Sequence, residues 1–327
     1  MLAYAIRRFG QSLFVLVLMS FIVFVGVYAI GNPVELLVNP QADEVERARA
    51  TAALGLDKPF LEQYWVFLKG AASGDLGRSF VYNVPALDLI LDKLPATIEL
   101  AFVAMVIAIA LGIPLGLVAG LKPDSAIGRG ILVGSILGFC LPSFWVGLVL
   151  ILVFSVQLGW LPSNGRGDTL AVAGIPVSFL TADGLAHIAM PAVNLALFKL
   201  SLLIRLTRAG TREAVLQDYV KFARAKGLPQ SRVIGVHVLK NILIPIVTVI
   251  GLELGSVIAF AIVTESIFAW PGTGKLLIDS INQLDRPVIV AYLLVIVTLF
   301  IVINFVVDVL YSMLDPRVRL GGAAASH

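Results

Sequence analysis

Six stretches of this chain are apolar for about 20 residues or more, and that property limits the fold more than any other. The hydrocarbon core of a bilayer is about 30 Å thick and offers a peptide backbone no hydrogen-bond partner. A segment that crosses it must therefore satisfy its own amides, which a helix of about 20 apolar residues does. The runs are residues 9–30, 97–121, 131–158, 186–203, 242–262 and 288–310. Composition excludes the alternative of a large soluble core. Of 327 residues 59% are hydrophobic and 14% charged, where a soluble chain carries about 25% charged residues. The expectation is an all-α polytopic membrane protein with six transmembrane helices. The single cysteine, Cys140, excludes an intrachain disulfide and any multi-cysteine metal site. Within its apolar run it reads as a small hydrophobe.

Charge sets the expected orientation. The first run follows Arg7 and Arg8, yet it exceeds an ordinary signal-peptide core and no clean small-x-small cleavage site follows it, so it reads as a retained span. Six spans place both termini on one side. On that side fall 14 of the 24 lysines and arginines, against nine on the other, and the positive-inside rule makes it cytoplasmic. Acidic residues lean the other way, led by Glu35, Asp43, Glu44, Glu46 and Asp57.

The chain divides accordingly into residues 1–95, an N-terminal span plus an outer segment, 96–312, a core of spans, and a cytoplasmic tail from 313 to 327. Residues 31–95 are too many for a bare connection. Within them ADEVERARATAALGL predicts a helix ending near Gly55, and PFLEQYWVFLKGA predicts a second lying at the interface. Trp65, Trp160 and Trp270 fall at outer boundaries, as in an aromatic belt. The closing GGAAASH predicts a disordered tail.

The anomaly is a basic interruption between the fourth and fifth runs, residues 204–241. The composition of 211–226 predicts a helix, Gly227 is suited to stop it with a positive φ, and Pro229 suits the first turn of a second helix. A basic helix–Gly–helix elbow of this kind fits three uses: contact with anionic lipid, contact with nucleic acid, or docking of a cytoplasmic partner. Its position against the membrane disfavours nucleic acid.

The segment DYVKFARAKGL…VLKNILIPIVT resembles the cytoplasmic loop of ATP-binding-cassette importer permeases of the dipeptide, oligopeptide, nickel and glutathione group. The resemblance extends along most of the chain, through YAIRR, GNPVELL, LGLDKPFLEQYWVFLKGAASGDLGRSF, LPATIELA, PSFWVGLVLILVFSVQLGWLP, RLTRAGTREAVLQDYVKFARAKG, FAWPGTGKLLIDSI and NFVVDVLYSMLDPRVR. It implies the type I importer permease fold in a bacterial inner membrane. It also implies a second homologous permease, two ATP-binding subunits that hold ATP and Mg, an extracytoplasmic solute-binding protein, and import by alternating access. Peptides, with glutathione among them, are the implied cargo, and nickel is the alternative within the family. In such permeases the loop is a coupling helix seated in a groove of the ATPase. The resemblance assigns that role to Lys221, Phe222, Ala223, Arg224, Ala225, Lys226 and Gly227 as a segment. Of the general permease pattern, Glu-Ala-Ala, three residues, Gly, nine residues, Ile-x-Leu-Pro, only Ala223, Gly227 and Leu239 match strictly.

No chemistry of the chain's own is expected. GTGK at 272–275 lacks the earlier glycine and the Ser or Thr of a phosphate loop, and His187, His237 and His327 are scattered. No cofactor site is predicted. Ionisable residues inside spans mark function or pairing. Lys199 and Glu253 lie mid-span in the fourth and fifth runs, at positions where the resembling family usually carries uncharged residues. Opposite signs predict a pair that faces the translocation path or packs the two spans. A self-sufficient ion-coupled transporter is the reading from another class, with these residues as coupling groups. Asp308 is expected to pair near the cytoplasmic face, and Pro114, Pro142, Pro191 and Pro245 to bend their spans.

Overall fold

A computed structural model of the protein describes residues 2–29, 34, 38, 43–53 and 55–314. Most of 30–42, the tail 315–327, and the side chains of Arg7, Arg8 and Asp308 lie outside it. Eleven helices and one hairpin follow in order among the described residues: α1 (Leu2–Ala29), α2 (Glu44–Ala53), α3 (Phe60–Ala72), α4 (Ala86–Leu121), α5 (Ala126–Cys140), α6 (Ser143–Gln157), β1 (Leu170–Val172), β2 (Ile175–Val177), α7 (Ala182–Val215), α8 (Asp218–Ala225), α9 (Gln230–Ile267), α10 (Thr273–Asn282) and α11 (Arg286–Leu314). Four of these, α4, α7, α9 and α11, are long and apolar enough to cross a membrane. Helices α5 and α6 pass the same test only as a pair, and within α1 the apolar helix is the shorter Leu13–Gly26.

The third apolar run is therefore not the single tilted span that its length predicts. It breaks at Leu141–Pro142, and α5 and α6 meet at 105°. Proline disfavours the helical region for the residue before it, and here both Leu141 (φ −75°, ψ 132°) and Pro142 (φ −61°, ψ 131°) are extended. Cys140 stands exposed at this break and not in a core. The prolines at 114, 191 and 245 lie inside continuous helices.

Two compact units divide the chain, one of Met1–Thr97 with Pro271–Ile301, the other of Ile98–Trp270 with Val302–His327. In the second unit α7 is the central element, the most buried of the spans. Its 34 residues make about 51 Å at 1.5 Å per residue, well beyond the hydrocarbon thickness. Helix α4 approaches it through glycines at a four-residue spacing. A Cβ on Gly116 would meet Thr207 Cβ at 2.5 Å, and one on Gly120 would meet Thr211 Cβ at 2.6 Å. Small residues at this spacing let two helix backbones close together where lipid offers no hydrophobic drive. On its other side α7 runs antiparallel to α9, stitched by Asn194 Nδ2 donating to Thr264 Oγ1 at 3.0 Å, by Lys199, and by Gly210 against Ile242.

The first unit is built on aromatic contacts. Helix α3 lies on α1, with Phe24 5.4 Å from both Phe60 and Tyr64, Phe21 5.3 Å from Tyr64, and the Tyr64 hydroxyl 2.9 Å from Ser20 Oγ. Helix α2 starts on an Asp43 cap to the Glu46 amide and ends at Gly55, φ +66°. Both segments are thus helical, as the sequence predicts. Trp65 is exposed, with Lys69 over its ring.

The glycine contact of α4 yields a direct expectation. Gly116→Leu forces α4 and α7 apart and lowers stability by about 1–3 kcal/mol, as overpacking does, read as a lower unfolding temperature in lipid nanodiscs. Gly134→Ala on α5, where a Cβ meets nothing within 4 Å, leaves that temperature unchanged. Equal effects would contradict the close-packing assignment.

Candidate functional site

The basic loop folds into a sharply terminated elbow. The helix expected over 211–226 is interrupted: α7 ends at Val215, and α8 restarts at Asp218. The Asp218 carboxylate sits in the first turn of α8, where the helix dipole favours negative charge. A hydrogen bond from Lys221, 2.9 Å away, with its positive charge, holds that carboxyl below its ordinary pKa. At the other end Gly227 takes φ +72°. Its amide donates to the Arg224 carbonyl (2.9 Å) and the Leu228 amide to that of Ala223 (3.3 Å), the double bond pattern of a Schellman stop. Pro229 is the N-cap of the next helix, φ −62° and ψ 146°, one place before the first-turn position expected of it.

Helix α8 has two faces. Val220 and Ala223 are buried, while Tyr219 and Phe222 are exposed, Phe222 to 62%. Of the seven residues from Lys221 to Gly227, Ala223 alone is buried, and Lys226 sits over the Phe222 ring at 4.6 Å. Beyond Pro229 the chain enters α9, whose residues Val233–Leu239 form a π-helical stretch holding half-buried His237. From Gln230 to Ile267 this is one unbroken helix.

Far along that helix the structure brings Lys199 and Glu253 together. Lys199 Nζ donates to Glu253 Oε2 and, at 2.7 Å, to Ser256 Oγ, which itself donates to Glu253 Oε2 at 2.7 Å. The lysine side chain is 8% exposed and the glutamate 27%. Ser256 lies three residues from Glu253, one turn away on the same face, and so completes a triangle. Phe198, the neighbour of Lys199, stacks on Phe139 of α5 at 4.7 Å, and the Arg205 guanidinium lies 4.5 Å from the Phe139 ring.

A second buried ion pair escapes the sequence reading. Glu99, at the start of an apolar run, accepts from Arg166 Nε (3.0 Å), from the Ser178 hydroxyl (2.8 Å) and amide, and from the Phe179 amide (2.9 Å). Arg166 also faces Trp270 at 5.9 Å and donates to the Pro176 carbonyl. Trp270 is fully buried, so it plugs this loop and is no belt anchor, unlike exposed Trp160. The hairpin β1–β2 rises from the same loop on a two-residue turn, Ala173 and Gly174, both at positive φ. The only sequence signal was a lone arginine in an outer loop.

In the first unit GTGK opens α10 with Thr273 and Gly274 buried, and the Thr273 amide donates to Thr97 Oγ1 at 2.8 Å. The Thr273 amide thus serves packing. Among the described residues no three His, Cys, Asp or Glu side chains group as a metal site.

Comparison with known proteins agrees along the whole chain. Residues 112–320 match the family of binding-protein-dependent transport system inner membrane components, and residues 1–101 match the N-terminal model of such components. The chain is 39% identical to the di/tripeptide transport system permease protein DppB of Pseudomonas aeruginosa, over 98% of this chain and 99% of that one. It is 38% identical to the oligopeptide transport system permease protein AppB of Bacillus subtilis, over 98% and 100%. To the glutathione transport system permease protein GsiC of Escherichia coli it is 36% identical, over 98% and 99%. Among solved structures, the inward-facing MetNI methionine ABC transporter matches at TM-score 0.52 and 15% identity, over 69% of this chain and 96% of that one, a likeness of fold.

The triangle at Lys199 gives an expectation independent of transport. Lys199→Met or Glu253→Gln alone strands one charge and lowers stability by about 1–3 kcal/mol. The double change recovers most of that loss in a thermal unfolding cycle. Additive losses would mean that the two side chains do not act on one another.

Proposed function

We infer the role of this chain from its family: it belongs to the binding-protein-dependent transport system inner membrane components, and it is a permease subunit of an ATP-binding-cassette importer. It is not itself an enzyme. The family works with ATPase and binding-protein components, and this chain supplies the membrane path. We propose short peptides as the cargo, which the names and full-length coverage of the relatives support. We propose further that six spans cross the membrane, with α1 as the first and the α5–α6 pair as the third. Both termini then face the cytoplasm, as the distribution of lysine and arginine supports. A homologous second permease and two ATPase subunits that hold ATP and Mg complete the assembly.

One observation carries the mechanism proposed for the elbow: α8 offers Phe222 to solvent from a helix held by Val220 and Ala223, and the next helix runs unbroken to Ile267. Docking of an ATPase groove on Phe222 and its basic neighbours would therefore act on a rigid lever. From Gln230 to Glu253 that lever is about 35 Å long at 1.5 Å per residue. Rotation of the elbow moves the Lys199–Glu253 level of the path without an intervening joint. The lever begins in the π-helical stretch Val233–Leu239, a local widening common at functional sites.

Reconstitution with the ATPase subunits, the second permease and the binding protein tests this. Phe222→Asp is expected to cut uptake by tenfold or more, in line with loss of a central interface anchor (about 2 kcal/mol or above), and to abolish stimulation of ATP hydrolysis by loaded binding protein. Membrane insertion stays normal. Wild-type coupling in that variant would remove α8 from the ATPase interface. Proton-driven uptake by this chain alone would instead favour the ion-coupled transporter that the intramembrane charges also suit.

A further inference from the structure

The charge triangle lies on a face that lipid cannot cover. Glu253 keeps 27% of its side chain open midway along an apolar span, and Phe139 and Phe198 beside it are 40% and 45% exposed. An ionised carboxylate at that depth costs several kcal/mol against hydrocarbon. Such a face suits a polar space better than lipid. The two bonds the carboxylate accepts, from Lys199 and Ser256, both go to Oε2. Oε1 has no donor among the described residues. Lys199 is shielded at 8% exposure, so a visitor to this face meets the carboxylate and not the ammonium.

A guanidinium completes the face. Arg205 lies six residues further along α7, about 9 Å of helical rise. It stacks over Phe139 and donates to the Ser201 carbonyl at 3.4 Å, and it has no carboxylate partner among the described residues. Contacts link these groups in series: Glu253 holds Lys199, whose Nζ lies 5.2 Å from the Phe198 ring, Phe198 stacks on Phe139, and Arg205 lies over Phe139. A dipeptide in extended form spans about 7 Å, with an ammonium at one end and a carboxylate at the other. Its two charged ends complement Glu253 and Arg205, and its side chains suit the exposed ring pair.

We propose that Glu253, the Phe139–Phe198 shelf and Arg205 form a contact station for short zwitterionic peptides in the translocation path. Glu253 receives the terminal ammonium through Oε1, and Arg205 receives the terminal carboxylate. Lys199 and Ser256 are positioning residues that hold the glutamate. Because the Lys199–Glu253 pair is neutral overall, the ammonium is held weakly, as passage requires. The assignment rests on the peptide reading of the cargo.

The test uses the complete reconstituted transporter with saturating loaded binding protein, so that capture outside is not limiting. One measurement is uptake of Ala-Ala; the other is photolabelling during turnover by a dipeptide of alanine and benzoylphenylalanine, mapped by mass spectrometry. Arg205→Gln is expected to lower maximal Ala-Ala uptake about tenfold, the loss of one charged hydrogen bond, with half-saturation unchanged. Arg205→Lys is expected to keep most of the uptake. Wild-type label is expected on residues around Phe139 and Phe198, and to fall about tenfold in Arg205→Gln and in the double variant Lys199→Met with Glu253→Gln, while the complex still assembles. If wild type imports Ala-Ala but both variants import and label as it does, the station is wrong and the peptide reading stands. Label on a second permease seated over this face, with none on α5 or α7, overturns the station equally. Failure of wild type to import any dipeptide overturns the peptide reading itself.

Discussion

Polar groups taken out of water must be accommodated inside the protein, and among the described elements α7 carries more of them than any other. It carries Asn194, Lys199, Ser201, Thr207 and Thr211 into buried positions. Each neighbour answers in its own way. Helix α4 brings glycines, so that backbone and threonine methyl groups close the space. Helix α9 brings Thr264, Ser256 and Glu253, so that hydrogen bonds close it. The antiparallel register of α7 and α9 follows from those rungs, because a shift by one residue would strand Lys199 in hydrocarbon.

The loops use one device twice, once within each unit. A buried carboxylate gathers backbone amides that no helix or strand would satisfy. Glu99 does so for Ser178 and Phe179, and Asp285 does so for Phe80 while also accepting from the Ser79 hydroxyl. A carboxylate has about four acceptor sites, so a single side chain orders a whole turn. Loops held in this way keep their shape without a core of their own.

The elbow joins local rigidity to reach. Gly227 stops α8 in one step, since only glycine takes that φ without strain, and the helix after Pro229 then proceeds for 38 residues. In the proposed coupling, exposed Phe222 engages the ATPase and the continuous helix carries the motion. The charge triangle lies on the same helix, at Glu253 and Ser256.

Much of this was legible in the residues. Hydropathy is a sum over neighbours in the chain, so the apolar runs of α4, α7, α9 and α11 could be read without any fold. Gly227 was legible because its role depends on one dihedral angle, and the pairing of Lys199 with Glu253 because opposite charges in hydrocarbon have few other choices. The rest waited on the tertiary structure, because it depends on what lies across space. Pro142 reads the same in a kinked helix as in a 105° break. Glu99 reads as the edge of a span until Arg166, 67 residues away, is found against it. Trp270 reads as a belt residue until that same arginine covers it. Phe139, Phe198 and Arg205 share no motif at all. Local sums determine which segments leave water; the partner that each polar or aromatic group meets there is decided by the packing of helices far apart in the chain.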